Sequence, residues 1–213
     1  MKAARAKVDH RTRVGRQRSA RTEGRIIEAA LRVFAERGPD APVIDDFVRA
    51  AGVARGTFYN HFESVEELLH ATSAWTTRHV LERIAQAMDD IESPTVRLGV
   101  GLRLFFAHAQ RDPVWSRFVA RVWKVGGLEL PVHDLEVGLR LGHFRVPGRD
   151  AARDLLLGGA REALRRIGEG QAPPSFGDQM AELCLQALRA DQRRIDAALA
   201  QPLPDVPERT RTR

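Results

Sequence analysis

Apolar residues recur along this chain at intervals of three and four, the spacing of helices that bury one face. Ile26, Ile27, Ala30, Leu31 and Phe34 share one face of a first predicted helix, with Thr22 placed to cap its start and Gly38-Pro39 to end it. A second helix is expected over about 44–51 and a third over about 55–61. Ser64-x-x-Glu67 is a capping box that opens a longer fourth helix carrying Leu68, Leu69, Trp75, Ile84 and Met88.

Punctuation continues downstream. Ser93-Pro94 and Asp112-Pro113 each place a capping side chain before a proline at the first helical position. The helix after the first shows Val96, Leu102, Phe105, Phe106 and Ala109. The next shows Trp115, Phe118, Val119, Val122 and Trp123 before Gly126-Gly127. A shorter helix runs from Pro131 to about Leu141, and Val146-Pro147-Gly148 breaks the chain. Two long segments follow, about 149–168 and 177–200. No stretch alternates with period two, so an all-α fold is predicted.

Residues 50–62, Ala-Ala-Gly-Val-Ala-Arg-Gly-Thr-Phe-Tyr-Asn-His-Phe, read as the turn and second helix of a helix-turn-helix. Gly52 stands where one helix must stop and reverse, a place that calls for positive φ. Phe47, Val48, Ala51, Val53, Phe58 and Phe62 seal the two helices together, which leaves Arg55, Thr57, Tyr59, Asn60 and His61 for the outer side. So polar a face on so short a helix calls for a polar partner.

Charge sharpens that picture. The chain carries a net +6, and residues 1–21 hold eight lysines and arginines against Asp9 alone, so the excess lies in this arm. An arm this basic and poor in apolar residues is expected to be disordered and to reach DNA phosphates or the minor groove, with Arg16, Arg18 and Arg21 nearest the motif. Hydrophobic residues make up 43% of 213, enough for a small domain plus a larger one. No apolar run approaches the roughly 18–20 residues that cross a bilayer, and the N-terminus lacks a secretory h-region, so a cytoplasmic protein with no membrane contact is expected. The single cysteine, Cys184, excludes a disulfide framework and a cysteine-rich zinc site.

Small residues among leucines mark the last two segments: Leu155, Leu156, Gly158, Gly159, Ala160, Ala163, Leu164 and Ile167, then Met180, Leu183, Cys184, Ala187, Leu188 and Ile195. Such faces let helices approach closely, and a homodimer built on them would present two recognition helices to two half-sites. The predicted interface comprises Leu156, Gly159, Ala160, Ala163, Leu164, Ile167, Met180, Leu183, Cys184, Ala187 and Leu188. Both segments packing only on their own chain is the alternative.

The run 25–38, Arg-Ile-Ile-Glu-Ala-Ala-Leu-Arg-Val-Phe-Ala-Glu-Arg-Gly, followed by 51–62 and by Glu66-Glu67-Leu68-Leu69, closely resembles the DNA-binding domain of the TetR family of transcriptional regulators. The likeness covers about residues 22–70. It implies an N-terminal three-helix helix-turn-helix domain (22–67) after the basic arm (1–21) and a larger C-terminal helical effector-binding and dimerisation domain (68–200); the tail (201–213), rich in proline and arginine, is expected from its composition to be disordered. It further implies a homodimer on a double-stranded DNA operator, commonly a repressor released by a small-molecule effector. Thr57 and Tyr59 then stand at phosphate-contacting positions, Arg55 at a position to read a guanine edge or a phosphate, and Gly56 where the backbone is approached closely; Asn60 and His61 complete the surface. Effector contacts are expected from Trp75, His79, Phe105, Phe106, His108, Trp115, Phe118 and Trp123.

Three positions depart from the family's habits. Val43 and Ala54 replace common capping residues, at a cost of roughly 1 kcal/mol each, and Val65 replaces a lysine that usually pairs with a phosphate. Asp45 and Asp46 open the second helix and would repel phosphates if they faced the groove. Enzyme chemistry finds little support. Glu67-x-x-His70 is half of a di-iron motif without its other half, and His133, Asp134 and Glu136 are a minimal carboxylate cluster. No phosphate loop, metalloprotease motif or nucleophile elbow is present, so neither cofactor nor metal is expected. A metal-binding helical bundle and a nonspecific architectural nucleic-acid binder are the rival readings.

Overall fold

The computed structural model describes the backbone of residues 2–123 and 132–206, and side chains from residue 14 onward within those ranges. Among the described residues every regular element is a helix: α1 (Lys2–Arg37), α2 (Ile44–Ala51), α3 (Arg55–Tyr59), α4 (Val65–Ala87), α5 (Pro94–Arg111), α6 (Pro113–Val122), α7 (His133–Arg140), α8 (Arg149–Gly168), α9 (Phe176–Ala187) and α10 (Gln192–Ala200). The all-α architecture is as the periodicity predicts. The chain divides into two compact units, Met1–Thr72 and Ser73–Arg213. The division falls inside α4 rather than at 67/68, because Leu68 and Leu69, both buried, belong to the first unit.

The first unit buries the predicted stripe of α1, with Ile26, Ala30 and Phe34 inaccessible, together with Phe47 of α2, Phe58 of α3 and Phe62. Phe34 and Phe47 meet with ring centroids 4.9 Å apart. Two expectations for this end are corrected. The arm is helical from Lys2 rather than disordered. Its alanines, arginines and lysines are good helix formers, and extending a helix already packed downstream avoids the nucleation penalty. Thr22 is therefore inside α1 and not its cap; its hydroxyl donates to the Arg18 carbonyl one turn back, at 3.0 Å.

In the second unit α5 is the central helix and packs against α6, α7, α8, α9 and α10. At Gly99 a Cβ would lie 2.7 Å from the Cβ of Ala198, so only glycine lets α10 come so near. Asp112 caps α6 by accepting from the Trp115 amide at 3.0 Å, whereas Ser93 precedes Pro94 without a capping hydrogen bond. The predicted segment 177–200 is in fact two helices. Arg189 adopts φ 53°, and Asp191 starts α10 by accepting from the Arg193 amide at 3.1 Å. Arg103 ties this end to the core, donating to Asp178 at 2.7 Å and to the carbonyls of Ala198 and Gln201 at 2.9 and 2.7 Å. The predicted tail is thus anchored at its start, and Val206 is buried; residues 207–213 lie outside the described residues.

The predicted dimer residues separate into two sets. Leu156, Ala160, Ala163, Leu164, Ile167, Cys184 and Leu188 are buried within the protomer, because that face of α8 and α9 packs onto α5 and α6. Leu183 and Ala187 are exposed, and Gly159 and Met180 half-buried. Leu155 and Leu183 are 56% and 58% exposed, large apolar side chains facing outward on both helices.

Candidate nucleic-acid interface and effector cavity

The turn between α2 and α3 is built as its sequence demands. Gly52 has φ 61° and ψ 42°; its amide donates to Arg49 at 3.3 Å and that of Val53 to Val48 at 3.2 Å, the paired bonds of a left-handed helix stop. A brace that the sequence did not announce holds this turn. Arg25 of α1 reaches over and donates through Nη2 to the carbonyls of Ala51 and Gly52, at 2.7 and 3.2 Å.

Both missing caps are compensated or tolerated locally. At Val43 the backbone amide donates to the Asp46 carboxylate at 3.1 Å, and Asp46 also pairs with Arg37 at 2.8 Å. Those two partners, the Val43 amide foremost, hold Asp46 below the usual carboxylate range. Asp46 is consequently turned inward, away from the role of phosphate repeller. Ala54 provides no side-chain cap, and α3 regularises only over Arg55–Tyr59, with a turn through His61. Ser64 caps α4 by accepting from the Glu67 amide at 3.1 Å, while the Glu67 carboxylate reaches the Glu63 amide at 2.6 Å rather than that of Ser64.

Around this scaffold the predicted DNA-facing residues fall into place unevenly. Phe58 and Phe62 are buried, Arg55, Gly56, Tyr59 and Asn60 are exposed, and Thr57 and His61 are half-buried. Arg16, Arg18 and Arg21 are exposed along α1. Arg55 is engaged within the protein: Nη1 lies 3.0 Å from the Asp45 carboxylate, and its guanidinium is 5.9 Å from the Tyr59 ring centroid. Asp45, unlike Asp46, does project outward beside the recognition helix.

In the second unit α4 and α5 flank a cavity with about 500 Å³ of empty space, counting its open mouth. Leu81 and Ile84 of α4, Met88 just beyond it, Leu98, Gly101, Leu102 and Phe105 of α5, and Ala160 of α8 form an apolar wall. Arg97 and Asp134 supply polarity at one end as a pair 3.1 Å apart, and Arg97 also donates to the carbonyls of Met88 and Ile91. Asp134 is thus an ion-pair partner, and Glu136 pairs with Arg149, so the sequence cluster at 133–136 dissolves into two separate contacts. Among the described residues no group of three potential ligands could hold a metal ion. No helix among them is long and apolar enough to cross a membrane.

Of the eight aromatic and histidine residues expected around an effector, Phe105 lines the cavity. Trp115 packs edge-on against it at 5.4 Å and against His108 at 4.8 Å. Phe106 and Phe118 are inaccessible core residues instead, since both point into the interhelical packing. Trp75 and His79 pair with each other at 5.1 Å, His79 being exposed, and Trp123 is half-buried. Burial is the main force on His108, lowering its pKa to about 4 despite the opposing pull of Asp112. The aliphatic wall was invisible in the sequence because leucine and isoleucine at helical spacing look alike in a core and around a cavity.

Comparison with known proteins agrees with this architecture. The profile of bacterial regulatory proteins of the tetR family matches residues 26–72. The HTH-type transcriptional regulator CymR of Pseudomonas putida is 32% identical over 156 residues, 66% of this chain and 74% of that protein. The HTH-type transcriptional repressor DhaR of Mycobacterium sp. (strain GP1) is 35% identical over 72 residues, 34% of this chain and 36% of its own. Among solved structures, RolR in complex with resorcinol superposes with a TM-score of 0.63 at 22% identity, covering 90% of this chain and 99% of its own. FadR of Bacillus subtilis in complex with stearoyl-CoA gives 0.62 at 18% identity, over 76% and 97%. The likenesses below 25% identity concern the fold, and the sequence match to CymR carries the assignment: this chain belongs to the TetR family, and it is a helix-turn-helix transcriptional regulator rather than an enzyme.

Proposed function

We propose that the protein is a homodimeric repressor that grips a palindromic operator with two copies of α3 and leaves it when a small molecule enters the cavity of the second unit. The single observation that carries the DNA reading is the division of α3, where Phe58 is buried and Arg55, Gly56, Tyr59 and Asn60 face outward. The basic arm adds phosphate-seeking charge to the same unit. Two-fold pairing is supported by the outward apolar residues of α8 and α9. Leu155, Gly158, Leu183 and Ala187 are exposed, and a Cβ at Gly159 would touch Met180 at 3.7 Å, so the two helices offer one largely apolar surface.

Release by a ligand is supported by the cavity and by neighbours of the same fold, one named in complex with resorcinol and another with stearoyl-CoA; DhaR is named a repressor. Helix α4 is the natural transmitter. Its first turns belong to the DNA-binding unit and its later residues Leu81 and Ile84 to the cavity wall. The test is selection of genomic fragments by the purified protein. Enrichment of an inverted repeat by at least about 10³ over random DNA is expected. Equal affinity for unrelated duplexes would make the protein an architectural binder instead.

A further inference from the structure

Four polar atoms in the second unit are buried without a hydrogen-bond partner: Ser73 Oγ, Thr77 Oγ1, Arg83 Nε and Trp115 Nε1. Leaving such groups without a partner is costly, so four of them in one unit are not neutral packing. Their positions are related. On α4, Thr77 and Ser73 lie one and two turns before Leu81 and on the same side as Ile84, so they continue the cavity's stripe toward the helix start. On α5, His108 continues the stripe of Gly101 and Phe105 by one more turn, and its ring meets Trp115 edge-on. Successive antiparallel helices bring these two continuations to the same end.

We propose that this end is a head-group site for the carboxylate of a small apolar acid, whose hydrocarbon body occupies the cavity lined by Leu81, Ile84 and Phe105. This rests on the effector-released reading above and names the chemistry of its ligand. Two of the four atoms, Trp115 Nε1 and Arg83 Nε, only donate, so what satisfies them must accept. Arg83 further argues for an anion. Among the described residues no carboxylate pairs with it, and it lies near enough to His108 to help keep that ring uncharged. At the opposite end Arg97 already has Asp134 and two carbonyls, whereas the buried Nε of Arg83 has no partner.

Calorimetric titration of the full chain with octanoate and 3-phenylpropanoate, each beside its primary amide, tests the proposal. The acids should bind at least tenfold tighter than their amides. Arg83→Met should weaken the acids by roughly ten- to hundredfold and leave the amides unchanged, as expected for a charge-assisted hydrogen bond. Thr77→Val should raise the melting temperature of the unliganded protein, because it removes an unpaired buried hydroxyl, yet weaken the acids. Amides that bind as well as acids, acids indifferent to both substitutions, or no binding of either acid at millimolar concentration would each overturn the head-group assignment. Failure of the broader reading looks different: no DNA fragment is enriched, whatever the acids do.

Discussion

Arg55 cannot reach a base edge while it holds Asp45, and that competition has a measurable size. The two side chains are 3.0 Å apart, and they are 60% and 59% exposed, so water and salt weaken their attraction. An exposed pair of this kind shifts an equilibrium by at most about fivefold. Asp45→Ala should therefore strengthen operator binding by up to about fivefold through release of Arg55. Removing a carboxylate near the phosphates should add a further gain that shrinks as salt shortens the screening length toward ~10 Å and below. Arg55→Ala should weaken the operator by roughly 5- to 150-fold if Arg55 reads an edge, with little change on random duplex.

The double variant separates the two effects. If Asp45 acts by occupying Arg55, its removal helps the parent protein and does much less in the Arg55→Ala background. If it acts only as a repelling charge, the gain is the same in both backgrounds. Fluorescence anisotropy on operator and random duplexes, at two salt concentrations, reads all four affinities. Equal gains in the two backgrounds, or no gain in either, would sink the competition argument; folding of each variant is checked by its thermal melt.

Four further outcomes follow from the geometry. Arg25→Met should destabilise the protein by about 1–2 kcal/mol in urea unfolding, since it abandons the carbonyls of Ala51 and Gly52, and it should weaken DNA binding without changing the salt slope. Because the pKa of His108 falls from 6.5 in the unfolded chain to about 4, folding is favoured above pH 6.5 and loses stability as pH falls toward 4. The loss at pH 5 is about 2 kcal/mol, and His108→Phe should flatten the profile between pH 7 and 5. Cys184, whose thiol burial pushes up to about 11, should resist a disulfide reagent at pH 8 until the protein is denatured. Leu183→Asp should convert a dimer to monomers in light scattering and leave the thermal melt of the protomer cooperative.

How much of this was legible in the sequence depended on whether the signal was local. Gly52 announced the turn because its backbone geometry admits few other residues, and Phe58 and Phe62 announced the inner face of α3 because their spacing leaves them nowhere else to go. Asp112-Pro113 announced a helix start for the same reason, and Asp191 could have announced the start of α10. Arg25, Arg97 and Arg103 could not be read in advance. An arginine at helical spacing looks like solvated surface until the fold shows which carbonyls it reaches, 26 residues away for Ala51 and 95 for Ala198.

The same limit explains why the dimer and effector residues were only partly separable. Small and apolar residues on α8 and α9 occupy both the inner and the outer face, and periodicity cannot say which face belongs to the protomer. Burial can, and it moves Leu156, Ala160 and Cys184 inward while leaving Leu155 and Leu183 outside. Polar residues within an apolar stripe carry more information than the stripe itself. Ser73 and Thr77 break the aliphatic run of α4 on its buried side, where a structural role asks for a partner and none is present. A core that needed only packing would place alanine or valine there. Two hydroxyls, an indole N–H and a guanidinium Nε–H left unpaired in one unit are a requirement that the protein's own side chains do not meet, and a ligand with acceptor oxygens would.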